Sequence, residues 1–261
     1  MTAAVPGVLS RIVEHKRIEL AARIGERARW EALADARPDR RQFSGALQAR
    51  RPAIISEIKK ASPSKGVLSN DFDPARIAAT YAQGGAAALS VLTDERFFQG
   101  SLADLQAARS ACDLPALRKD FTIDDFHVVE AAAHGADAIL LIVAILSVEE
   151  LTRFRELAER YGMDALVEVH DQQELGRALD SGARIVGVNN RNLHDFSVSL
   201  DTSLHLAARM PAGVLKVSES GIHTAQDVRT LMEAGYQAFL VGEHLMKASD
   251  PSAALHALLQ A

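Results

Sequence analysis

Several residues able to do acid–base chemistry stand where short apolar runs of this chain end. Glu57 and Lys59 close the run 53–58, and being two apart they project to one side of an extended strand. A buried acid and a buried base placed that way must compensate each other's charge. Lys119 shares the face of Leu117 at the end of a second run, and Glu168 follows Ala165-Leu166-Val167, where an acid is costly unless it is used. Asn189 and Arg191 fall on one side of Asn189-Asn190-Arg191, and Glu219 follows the run 214–218. A lysine is protonated at neutral pH and can donate, while a glutamate is ionised and can accept. Gly221 and Gly242, just beyond the last two runs, let backbone N–H groups approach an anion such as phosphate, and Ser62-Pro63-Ser64-Lys65-Gly66 adds donors. Taken singly, each feature has an ordinary reading as an ion pair, a solvated lysine or a turn glycine. Their convergence on one rim is what points to a site.

That rim exists only if the runs are parallel strands. Apolar runs rich in Val, Ile and Leu recur at 53–58, 87–92, 115–118, 138–143, 165–169, 184–189, 214–218 and 238–241. Helical patterns lie between them at 74–83, 102–110, 124–134, 148–161, 172–180, 200–208 and 225–233. Continuous apolar strands alternating with helices are the mark of a buried parallel sheet, hence the α/β class. Gly85, Gly135, Gly182 and Gly235 each stand where a helix should end and a buried strand begin, at spacings of 50, 47 and 53 residues. Each interval holds two strand–helix units, so four repeats make eight strands, and a (β/α)8 TIM barrel over residues 48–261 is expected. An open doubly wound sheet is the alternative, but no Gly-rich dinucleotide turn follows the first strand. Thr224 with Asp227 reads as a helix start close to a capping box. Residues 1–47 are surplus to the barrel; periodic segments at 8–23 and 26–34 predict an N-terminal helical extension that covers the barrel mouth.

Composition excludes several classes. The chain has 261 residues, 48% of them hydrophobic, and a single cysteine, Cys112, so a disulfide-stapled secreted fold is ruled out. The longest uncharged apolar run, 138–146, is far too short to span a bilayer, and no signal peptide is visible, so a cytoplasmic location away from membranes is expected. The net charge is −5, yet residues 11–51 carry eleven Lys/Arg against six Asp/Glu. Acids interleave with these bases at helical spacing and Trp30 stands alone, which argues for a solvated helical face and against nucleic acid. Lysine is scarce, seven against 22 arginines, and Lys59, Lys119 and Lys216 all fall on or beside strands.

The run Ile55-Ser56-Glu57-Ile58-Lys59-Lys60-Ala61-Ser62-Pro63-Ser64 resembles the opening motif of the indole-3-glycerol-phosphate synthase family. The likeness continues through Ser90-Val91-Leu92-Thr93-Asp94-Glu95, Leu117-Arg118-Lys119-Asp120-Phe121, Val167-Glu168-Val169-His170, Gly187-Val188-Asn189-Asn190-Arg191, Ser218-Glu219-Ser220-Gly221-Ile222 and Phe239-Leu240-Val241-Gly242. The resemblance implies a (β/α)8 barrel that closes 1-(2-carboxyphenylamino)-1-deoxyribulose 5-phosphate to indole-3-glycerol phosphate, with loss of carbon dioxide and water and without metal or organic cofactor. It implies Lys119 as general acid, Glu168 as general base, Lys59 as the cation for the anthranilate carboxylate and Glu57 as a supporting acid or base. Asn189, Arg191 and Glu219 match substrate-positioning residues, and Ser62, Ser220, Gly221 and Gly242 lie in segments that contact phosphate. By the same likeness the N-terminal extension is a lid over an anionic substrate; separately, a monomer or weak homo-oligomer is expected. Asn192, Asp125 and Glu243-His244 depart from the family pattern, and Glu243 is expected to turn away from the phosphate. Phosphoribosylanthranilate isomerase, which uses a Cys/Asp pair, and a non-catalytic barrel are the alternatives; Cys112 lies before the third strand, away from the rim.

Overall fold

The computed structural model describes residues 7–63, 65–69 and 71–261; Ser64 of the first-loop donors and residues 1–6 of the extension lie outside them. Eight parallel strands form a closed barrel: β1 Ala53–Ile58, β2 Ala88–Leu92, β3 Ala116–Lys119, β4 Ala138–Ile142, β5 Asp164–Val169, β6 Ile185–Asn189, β7 Leu215–Glu219 and β8 Ala238–Val241. Closure sets Ala53 of β1 opposite Ala238 of β8, and Ser56 opposite Val241. Strand side chains alternate between two cores. Ile55, Leu117, Leu140, Leu166, Val217 and Leu240 fill the barrel, while Ile54, Ile58, Ile139, Val167, Val186 and Phe239 pack outward under the helices. With Ile58 outward, Glu57 must point inward.

The helices begin where a side chain can satisfy free backbone N–H groups: Asp73, Ser101, Asp124, Ser147, Asp171 and Thr224 each accept one or more at a helix start. Thr224 and Asp227 complete a reciprocal capping box, and Asp125 takes the first helical position after Asp124. The four repeat glycines all have positive φ, from +78° to +99°, as a left-handed helix exit requires. Strands β3 and β7 run one residue further than the apolar pattern, so Lys119 and Glu219 are held in the ladder opposite Leu92 and Asn189. Each supplies the other's counter-charge, so the sheet can continue through them. The terminal helix Pro251–Leu258, capped by Asp250, escapes the pattern reading.

The segment before β1 spans the barrel from mouth to floor, which its periodicity could not show. Val8, Leu9 and Ile12 of α1 (Gly7–Arg23) line the mouth. Helix α2 (Arg27–Asp35) lies on the flank, with the ring of Trp30 tilted against that of His134 at 4.6 Å between centroids. Helix α3 (Phe43–Gln48) closes the floor: Phe43 and Leu47 are buried against Ala53, Ala88, Ala138 and Ala238. The basic residues divide accordingly. Arg37, Arg40 and Arg41 donate to the carbonyls of Ala133, of Ala132 and Ala136, and of Arg109, Cys112 and Leu114. They satisfy carbonyls at and just beyond helix ends and take no part in a lid. Among the described residues no helix is long and apolar enough to cross a membrane.

Candidate active site

A cavity of about 540 Å³ opens at the carboxyl ends of the strands. Glu57, Lys59, Ser62, Lys119, Glu168, Asn189, Arg191, Glu219, Ser220, Gly221 and Gly242 all line it. The acids and lysines among them come from alternate strands, Glu57 from β1 with Lys59 just after it, Lys119 from β3, Glu168 from β5 and Glu219 from β7, while Arg191 enters from the loop after β6. This follows from barrel geometry, in which inward side chains form layers contributed by every second strand. Lys119 Nζ sits 2.8 Å from Glu168 Oε2 and 2.9 Å from Glu219 Oε2. Lys59 Nζ lies 2.5 Å from Glu57 Oε1.

Burial sets the charges against one another. It acts to lower the Lys119 ammonium, but Glu168 and then Glu219 outweigh it and hold the lysine protonated well above the ordinary range. Burial acts to raise Glu168, yet Lys119 and then His170 pull it below the usual carboxylate range. Glu219 goes the other way: burial and the neighbouring Glu168 charge push it up, with Lys119 resisting. Two acids beside one cation thus separate into a firmly ionised form and a proton-holding form. Glu219 Oε1 has no hydrogen-bond partner among the described residues and lies over Gly187 of β6, where a Cβ would strike it.

Directly after Glu219, Ser220 and Gly221 are both left-handed, with φ of +68° and +77°. Asn190 holds this turn, its Nδ2 donating to Ser218 Oγ at 3.0 Å and to the Ser220 carbonyl at 3.1 Å. Asn192 organises the loop beyond, its Oδ1 accepting the His194 N–H. Glu243 does not turn away from the cavity. It stays on the wall, paired with Lys247 at 2.7 Å and facing Arg191 at 3.7 Å and Lys65 at 3.9 Å, which keep it ionised and offset its charge. Lys216 belongs to another part of the molecule: its Nζ caps the Ala207 carbonyl at 2.6 Å outside the barrel.

Two features of the site escaped the sequence reading. One is its apolar wall of Phe98, Phe121, Leu140, Ile142 and Leu240. The other is Asp120, buried next to Lys119 and held by Lys16 at 3.0 Å, Thr93 at 2.6 Å and Arg118 at 3.1 Å. Its only signal was a run of three charges, Arg118-Lys119-Asp120, at a strand end. Among the described residues no three His, Cys, Asp or Glu side chains could hold a metal ion.

Comparison with known proteins gives the same picture at the level of family. A family model described as indole-3-glycerol phosphate synthase matches residues 9–258. The protein of that name from Roseiflexus sp. (strain RS-1) is 52% identical over 263 residues, covering 96% of this chain and 97% of its own length. Its counterpart from Chromobacterium violaceum is 50% identical over 257 residues, with the same coverage. Among solved structures, KGPDC from Streptococcus mutans superposes with a TM-score of 0.62 at 12% identity, over 81% of this chain and 97% of that one. The N-acetylmannosamine-6-phosphate 2-epimerase from Clostridium perfringens gives 0.61 at 17%, over 76% and 89%. At such identities the likeness is one of barrel fold alone. Near-complete coverage at half identity is more specific, and by it the chain belongs to the indole-3-glycerol phosphate synthase family.

Proposed function

We propose that this cavity converts 1-(2-carboxyphenylamino)-1-deoxyribulose 5-phosphate to indole-3-glycerol phosphate, carbon dioxide and water. The observation that carries the reading is the Lys119 ammonium held between Glu168 and Glu219 at the edge of an apolar wall. Lys119 donates its proton to the substrate ketone as the carboxylate-bearing ring carbon attacks it, so that negative charge never accumulates on that oxygen. Carbon dioxide then leaves and its electron pair restores the aromatic ring. The new hydroxyl departs as water on a proton supplied by the Lys59–Glu57 pair, while Glu168, ionised and 2.8 Å from Lys119, removes the proton from the adjacent carbon. Lys59 holds the anthranilate carboxylate, with Glu57 at 2.5 Å supporting it. Asn189, Arg191 and Glu219 position the chain of the substrate, and its phosphate lies against Ser62, Ser220, Gly221 and Gly242.

The steps are redox-neutral, so the acids and bases of the chain are sufficient and no cofactor is called for. Helix α1 covers the bound substrate, and the protein works in the cytoplasm on a small phosphorylated molecule, as a monomer or weak homo-oligomer. The isomerase alternative lacks its thiol here: Cys112 Sγ lies 3.8 Å from the Ala108 carbonyl, outside the cavity. Incubation of the purified protein with the carboxyphenylamino-deoxyribulose phosphate should produce indole fluorescence; its absence would overturn the assignment.

A further inference from the structure

His170 stands two residues beyond Glu168, just past the end of β5. Its Nε2 lies 3.5 Å from Glu168 Oε1, while Oε2 of the same carboxylate takes the Lys119 ammonium. On its other side, Nδ1 lies 3.0 Å from Glu174 Oε2, which also accepts the His170 backbone N–H at 2.7 Å. Glu174 is fixed in turn, being in the first turn of the helix Gln172–Asp180, where its N–H donates to the capping Asp171 at 2.8 Å. His170 itself does not line the cavity.

A carboxylate only accepts, so Nδ1 facing Glu174 must carry hydrogen. Without a proton on Nε2, a lone pair would face the Glu168 carboxylate, and Nε2 has no hydrogen-bond partner among the described residues. A second ring proton removes that conflict and leaves an imidazolium between two carboxylates. The charged groups facing the ring are Glu168 from β5, Glu174 from the following helix and Glu219 from β7, with Lys119 beyond Glu168. Burial opposes a charge on the ring, but Glu174 and then Glu168 outweigh it and hold His170 above its ordinary range.

We propose that His170, clamped by Glu174, is a positioning residue that keeps Glu168 ionised and aimed through the whole reaction. The proposal rests on the reading of Glu168 as the base. Its chemical sense lies in the order of steps. When Lys119 gives its proton to the ketone, Glu168 loses the cation on Oε2, and the imidazolium on Oε1 remains to hold it as a base for the later proton removal.

The test is the pH dependence of kcat in the intact enzyme and in His170→Asn and Glu174→Gln. Loss of a cation at this distance should move the acid limb of kcat to higher pH by about 1–3 units in His170→Asn, with KM within about twofold. Glu174→Gln keeps an acceptor for the backbone N–H but removes the anion, and should move the limb the same way by less. The double variant should shift no further than His170→Asn, because both act through one ring. A fall in kcat at every pH with the limb unmoved would mark a purely structural role and overturn the proposal, as would wild-type behaviour. Independently of turnover, ring nitrogen NMR shifts of the unliganded protein should show His170 charged at about pH 7, above its reference value. A neutral ring there overturns the proposal even if the enzyme is active, and a protein without turnover overturns the functional reading instead.

Discussion

Glu57 of β1 occupies the space that a side chain at Gly242, just after the neighbouring strand β8, would fill. A Cβ built at Gly242 meets the carboxyl group and the Cβ of Glu57. The glycine after the eighth strand therefore serves the first strand's acid as well as any anion that approaches its backbone. Gly242→Ala should displace Glu57 and break its pairing with Lys59. Since a shift of about 1 Å at a reacting group can cost roughly 10²-fold, kcat should fall by that order while the fold persists. Steady-state kinetics with circular dichroism decide it, and an unchanged kcat would remove Glu57 from the chemistry.

Lys119→Ala should lower kcat by about 10²–10⁴, the usual worth of a general acid, with a smaller effect on KM. Single-turnover measurements separate the chemical step from product release. Retained turnover would move the acid role to Lys59.

Glu219 makes a prediction about stability and pH. Its folded value is raised above the ordinary 4.5, so its protonated form supports the fold and that support is lost as pH rises through the raised value. Glu219→Gln cannot ionise and loses nothing over the same window. The Tm of the variant relative to the wild type should therefore increase from about pH 5 to about pH 8. Parallel Tm curves would show that Glu219 is not the group that titrates.

Lys16 ties α1 to the barrel, its ammonium buried against Asp94 at 3.1 Å, Asp120 at 3.0 Å and Glu19 at 2.9 Å. Lys16→Met leaves buried Asp94 without its cation and Asp120 with Arg118 alone, and should cost about 3–5 kcal/mol in urea unfolding. Because Leu9 and Ile12 of the same helix line the cavity, KM should also rise if α1 covers the substrate. Loss of stability with KM unchanged would confine α1 to a structural role.

The barrel was legible because its signals are local. Unbroken apolar runs mark strands buried on both faces, and a glycine before every second one marks a left-handed helix exit. The two-residue spacing of Glu57 and Lys59, and the face shared by Leu117 and Lys119, follow from strand geometry alone. Local signals could not say what α3 does, since Phe43 and Leu47 show only a helical pair until the floor they close has been built. Nor could they sort the lysines: Lys59, Lys119 and Lys216 share the same kind of position, yet Lys216 points outward to Ala207.

Residue identity and order, by themselves, determined the eight-strand alternation, the rim that carries the acids and bases, and the family. Tertiary structure alone decided which charges meet. Glu168 and Glu219 lie 51 residues apart in the chain and share Lys119 only because barrel closure brings alternate strands into one layer. Their shifts are opposite because burial and the Glu168 charge raise Glu219 against the pull of Lys119, while Lys119 and His170 overcome burial at Glu168, a balance that no spacing in sequence can express.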